Sequence, residues 1–182
     1  LSDVASRIVV RAATRADAAA IARVQHDSWR TTYAGILPLD VINSVTGRRD
    51  ASEWERRLER ATGESATWLA ERAGNAIGFA SCGPARDNVE GIGGEIYALY
   101  VLQAEQRRGV GRELVRSCAR HFVRRGIFGL YLWVLKANRA RLFYEMLGGE
   151  ALREKMERLG QHDFAEIAYG WRDLTSLVAP AE

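Results

Sequence analysis

Seven residues, Gln106-Arg107-Arg108-Gly109-Val110-Gly111-Arg112, carry the clearest chemical content of the chain. They follow an apolar stretch, Ile96 to Val101, and open an amphipathic one from Arg112 to Arg125. A strand feeding a glycine-bearing turn and then a helix N-terminus makes an anion site. Glycine lets backbone approach the ligand, and free N–H groups at the positive end of the helix dipole face its charge. Three arginines within the seven residues favour a phosphate or pyrophosphate. A dinucleotide fingerprint would need a third glycine where Leu114 stands, and a Walker A loop would need a Gly-Lys pair in a stretch that has no lysine.

Other reactive residues are sparse. Cys82 and Cys118 lack metal or redox spacing and lie inside apolar segments, so both are expected as buried, reduced thiols. His26, His121 and His162 are scattered; no metal site and no Ser/His/Asp or Cys/His arrangement is expected. Glu95 opens the strand aimed at the glycine turn, where it is either a proton acceptor or an exposed strand residue. Trp29 and Tyr33 flank a glycine- and proline-bearing loop, Trp29 to Pro38, and either line a small pocket or pack the core.

The elements that must position these groups follow from pattern. Arg7 to Arg11 predicts a first strand, and Thr14, with Asp17 three residues on, caps a helix to about Ser28. Short helices are expected at Leu39–Val45 and Ala51–Ala61. Ala66–Arg72 and Ala76–Gly83 form a hairpin about Gly74-Asn75. The strand at Glu95–Val101 leads through the glycine turn into a helix, Gly111–Arg125. A strand at Gly129–Val134, a helix ending near Gly148-Gly149, and strands at Glu150–Arg158 and Phe164–Asp173 complete the order. That order predicts one α/β domain over 1–182, a mixed sheet with helices on its faces.

Composition sets bounds. Of 182 residues, 47% are apolar and 27% charged, which describes a globular protein with a full core. No apolar run approaches the ~20 residues of a membrane span, and the stretch around Asp3 and Arg7 lacks the apolar centre of a signal peptide, so a cytoplasmic address is expected. Net charge is +3, yet Glu105–Arg125 alone carries +5. The basic character is local to the loop and its helix, which suits a polyanionic ligand better than nucleic acid; no aromatics interleave the arginines for base stacking. Arg112, Arg116, Arg120 and Arg124 form one stripe, expected to be a solvated face apart from Arg112.

The pattern Gln106-x-x-Gly109-x-Gly111 resembles the acyl-CoA pyrophosphate loop of the GNAT family of N-acetyltransferases. Val101 stands five residues before Gln106, as in that family. Asn138-Arg-Ala-Arg-Leu-Phe-Tyr144 through Gly148 looks like its second cofactor segment, although Asn138 is six residues before Tyr144 and not the usual seven. The resemblance is detailed from Glu95 to Gly149. It implies a GNAT-type, mostly antiparallel twisted sheet of six to seven strands with helices on both faces, and acetyl-CoA as cofactor. Gln106, Arg107, Arg108, Gly109, Val110, Gly111 and Arg112 would hold the diphosphate; Leu99, Tyr100 and Val101 would pair with the pantetheine, with an N–H near Leu99 on the thioester carbonyl. Asn138, Ala140, Arg141, Phe143 and Tyr144 would form the second wall, with Tyr144 the acid for the leaving thiolate and Glu95 the candidate base. The partner implied is a primary amine of a small molecule or peptide, attacking directly; a homodimer through an edge strand is compatible. A catalytically idle acyl-CoA-binding domain on the same scaffold is the alternative.

Overall fold

The computed structural model describes residues 7–179; the expectation about Asp3 lies outside them. The strands are β1 Ile8–Ala12, β2 Ala66–Arg72, β3 Asn75–Pro84, β4 Gly94–Val101, β5 Leu130–Leu135, β6 Glu150–Leu159 and β7 His162–Trp171. They form one sheet in the order β1-β2-β3-β4-β5-β7-β6. Every neighbouring pair is antiparallel except β4–β5, which is parallel. The mixed, mostly antiparallel seven-stranded sheet expected from the sequence is therefore the architecture found.

Helices cover both faces: α1 Ala18–Thr32, α2 Leu39–Arg48 and α3 Ala51–Glu59 on one, α4 Val110–Val123, α5 Arg141–Met146 and α6 Thr175–Val178 on the other. On the α4 face, Leu114, Val115, Cys118 and Phe122 recur at helical spacing and are fully buried against Ala80, Ile96, Leu130 and Leu132. Truncating one of these to alanine removes about 2–5 kcal/mol. The opposite face is built around Ile21 and Val24 of α1, with Trp54 of α3 edge-on to Phe79. The two cysteines are buried and free, and burial pushes the Cys118 thiol up.

Three local expectations change. The α1 helix continues to Thr32, so Trp29 is helical and the loop starts at Tyr33. Trp29 extends the buried stripe of Ile21, Gln25 and Ser28, and Gly35 at φ 77° turns the chain only later. The β2–β3 turn is Ala73-Gly74, with φ of 50° and 77°, while Asn75 already pairs with Arg72; a two-residue turn whose strands continue their twist needs both central residues at positive φ. The last strand stops at Trp171, and Thr175–Val178 forms α6, whose Leu177 is buried beside α4. Arg116 likewise leaves the solvated stripe, its guanidinium bonding Glu113 and the Leu177 carbonyl.

Candidate active site

The site begins with a failure of pairing. Strands β4 and β5 pair only at Gly94↔Leu130 and Glu95↔Tyr131, although β4 runs on to Val101 and β5 to Leu135. A register shift opposite Ser81/Cys82 leaves Tyr97 as an extra residue in β4 and turns that strand away from β5. Beyond Glu95 the two strands diverge into a V.

The inner edge of β4 is open backbone. Leu102 N–H donates to Ile77 O on the β3 side, so by strand alternation the Tyr100 amide also faces β3, and the amides of Leu99 and Val101 face the V. Gln106 closes the top by donating from its side-chain amide to Val101 O at 3.2 Å. The turn that follows holds Arg107 at φ 58° and Gly109 at φ 85°, and α4 starts at Val110. The first helical bond is Glu113 N–H to Gly109 O, so the N–H groups of Val110, Gly111 and Arg112 project from the helix end. Arg107, Arg108, Gly109 and Arg112 are exposed around them.

The second wall is α5. Asn138 is buried, and its side-chain oxygen accepts the Ala140 N–H at 2.9 Å, which shapes the turn into the helix. Arg141 opens α5, and Phe143 packs against the N-terminus of α4, its ring 3.0 Å from where a Cβ on Gly111 would stand. Tyr144 is 6% exposed, among Phe143, Tyr169 and Trp171. Its hydroxyl hydrogen-bonds no described residue; burial and the nearby Tyr100 phenol push its pKa up, so it stays protonated at neutral pH.

Across the sheet stand Trp29, Tyr33 and Tyr100, with ring centroids 4.4 Å apart for Trp29–Tyr33 and 6.4 Å for Trp29–Tyr100. The Trp29 indole N–H is buried without a hydrogen-bond partner, and burial raises both phenols. Both tyrosines are half-buried, as residues lining a cleft are. Sequence reasoning missed Glu166 of β7, which faces this cluster and is electrostatically coupled to Tyr33 and Tyr100. The available signal was a lone acid within the apolar run Phe164 to Trp171.

Glu95 is placed differently from the expectation. It sits at the closed end of the V and is 1% exposed. Its carboxylate accepts the Arg86 N–H at 2.8 Å, the Arg86 guanidinium at 3.1 and 2.5 Å, and the Tyr131 hydroxyl at 3.1 Å. Oε2 accepts three of these bonds and Oε1 one, so the carboxylate pins the loop 85–93 to the sheet. The cause is Arg86, nine residues upstream, which also stacks on Tyr97 at 4.3 Å.

The open β4 edge and the projecting helix N–H groups fit a ligand combining an extended amide-bearing arm with a diphosphate. Comparison with known proteins agrees. The family model for the acetyltransferase (GNAT) family matches residues 23–148. The chain belongs to the GNAT acetyltransferase family. An uncharacterized N-acetyltransferase of Bacillus subtilis, YuaI, is 34% identical over 171 residues, covering 93% of this chain and 96% of that protein. Among solved structures, PaiA N-acetyltransferase from Thermoplasma acidophilum in complex with coenzyme A superposes with a TM-score of 0.69 at 21% identity, covering 88% of this chain and 98% of that one. The yncA protein of Salmonella typhimurium, solved with its cofactor acetyl-CoA, gives 0.65 at 21% identity, covering 96% and 98%. Among the described residues, no helix of this GNAT protein is long and apolar enough to cross a membrane, and no cluster of His, Cys, Asp and Glu could hold a metal.

Proposed function

We propose that this GNAT protein moves the acetyl group of acetyl-CoA to a primary amine of a small molecule or peptide by direct attack in a ternary complex. The observation that carries the reading is the V between β4 and β5, with the bare N-terminus of α4 at its mouth and a buried, unpartnered phenol on its wall. The N–H groups from Val110 to Arg112, with Arg107, Arg108 and Arg112 around them, hold the diphosphate. Leu99 and Val101 continue the sheet onto the pantetheine arm, beside Tyr100, while Gln106 braces their strand. Asn138, Ala140, Arg141 and Phe143 set the far side of the arm.

When bound, acetyl-CoA supplies an activated thioester. The Leu99 N–H then points where negative charge develops on the carbonyl oxygen, a contribution of about 2.7–4 kcal/mol where such donors are removed. Tyr144 donates its proton to the departing sulfur. Tyr33 and Trp29 form the acceptor side of the cleft. Nothing in this mechanism requires a covalent acyl-enzyme, and the free cysteines are buried on the α4 face. The test is calorimetry with acetyl-CoA followed by release of free thiol across a panel of primary amines. Micromolar binding together with amine-dependent thiol release supports the reading, and binding without release for any amine sinks it.

A further inference from the structure

We propose that Glu166 is the counter-ion and proton acceptor for the ammonium group of the acceptor. The inference rests on the acetyltransferase reading above and deepens it, giving this face of the cleft a proton acceptor.

Glu166 lies opposite Leu135 in the β5–β7 ladder, so the two side chains share a face. Leu135 packs in one cluster with Trp29, Tyr33 and Tyr100, which places the carboxylate on the acceptor side of the V at its open end. Its side chain is 16% exposed, and among described residues it meets one cation, Lys155, at 3.9 Å, beyond hydrogen-bond distance. Lys155 itself is committed elsewhere, donating to Asp87 at 2.9 Å and lying over the Trp133 ring. The charged and titratable groups within electrostatic reach of Glu166 are Lys155 and Glu157 from β6, Arg86 and Asp87 from the loop before β4, Tyr33 just after α1 and Tyr100 from β4. Burial is the largest influence on its carboxyl and raises its pKa, with Glu157 and Asp87 adding to the rise and Lys155 and Arg86 opposing it. An enclosed carboxylate whose oxygens accept no hydrogen bond among the described residues, and whose pKa burial raises, is suited to bind a cation and take a proton from it.

The contrast with Glu95 is sharp: four hydrogen bonds on one carboxylate, none on the other. The proton count then closes. Glu166 takes one proton from the ammonium and passes it to solvent, and the freed nitrogen lone pair forms the C–N bond at the thioester carbonyl. The C–S bond breaks as the oxyanion collapses. Tyr144 gives its proton to the sulfur and recovers one from the nitrogen, leaving an amide, a free thiol, a protonated Tyr144 and an ionised Glu166.

Two amines separate this role from a structural one. Propylamine is protonated at pH 7 and needs a base, whereas methoxyamine is already neutral. With acetyl-CoA, Glu166→Gln should lower kcat/KM for propylamine by about 100-fold and for methoxyamine by less than about threefold. Glu166→Asp, which keeps the charge, should recover part of the propylamine rate. Equal losses for both amines, or no loss for propylamine, overturn the proposal. If the wild type acetylates neither, the amine panel above decides the acetyltransferase reading. Glu166 is then judged by NMR of protein carrying carbon-13 at the glutamate carboxyls. The signal absent from Glu166→Gln should titrate above those of exposed glutamates and shift on adding propylammonium. A signal that titrates with the exposed glutamates and ignores propylammonium overturns the assignment.

Discussion

The two ends of the V are built from similar side chains and treated in opposite ways. At the closed end, Glu95, Tyr131 and Arg86 satisfy one another; Glu95 and Tyr131 are buried beside Val89 and Ile92, while the Arg86 side chain reaches solvent. At the open end, Tyr144, Trp29 and Glu166 keep polar atoms without hydrogen-bond partners among the described residues. Buried polar groups are normally paired because each unpaired one costs about 1–3 kcal/mol. A cleft that leaves several vacant at one end, while an acid and a phenol at the other end are paired, is arranged for a visitor.

The largest expected effect breaks the open end at its anchor. Gly109→Glu should abolish acetyl-CoA binding in calorimetry, while circular dichroism stays native-like. The position has φ 85° and free space around it, so the fold absorbs a strained side chain of about 1–2 kcal/mol, whereas the carboxylate repels the diphosphate. Breaking the closed end should act on stability instead. Glu95→Ala removes the carboxylate that Arg86 and Tyr131 share; Tyr131 keeps its bonds to Asp87 and the Arg86 guanidinium reaches solvent, so the cost should be about 1–3 kcal/mol in denaturant unfolding. Turnover per folded molecule should fall far less than in Tyr144→Phe. That variant should keep its melting temperature and lose about 100-fold in kcat, with little change in KM. If Glu95→Ala removes turnover and leaves stability intact, the two ends have been read the wrong way round.

The smallest effect lies far from the cleft. Asp17 accepts hydrogen bonds from Arg11 at 2.8 Å and from the Thr14 N–H at 2.7 Å, and the Arg11 guanidinium holds its carboxyl well below the usual range. A carboxyl lowered in the folded state stabilises above its unfolded pKa, and that contribution is lost as pH falls through the folded one. Asp17→Asn should therefore cost about 1 kcal/mol at pH 7 by urea melts. The gap to wild type should close on acidification below the ordinary aspartate range.

How much of this was legible in the sequence differed by region for a physical reason. The turn from Gln106 to Gly111 was readable because backbone geometry dictates its residues: a left-handed Gly109 and a Gly111 that admits the Phe143 ring leave few alternatives. The order of strands was readable because alternation and turn chemistry are local. The burial and pairing of Glu95 were not readable because they depend on Arg86, which reaches it only through the course of the intervening loop. Glu166 went unremarked because its significance lies in neighbours from α1, β4 and β6, remote in the chain. The end of α1 was placed early because Trp29 and Tyr33 suit a loop as well as a helix, and only packing against Tyr100 decides.

The brevity of the β4–β5 seam has a mechanical meaning. The sheet is two slabs, β1 to β4 and β5 to β6, riveted at a pair of rungs where Gly94 lies so near the Gly129 carbonyl that a methyl would stand 3.0 Å from it. A ligand pairing with the open β4 edge and spanning the gap would splice the slabs into a continuous plate. Stiffness across the molecule is thus borrowed from the ligand, and amide hydrogens on both lips of the gap should exchange more slowly when it is filled.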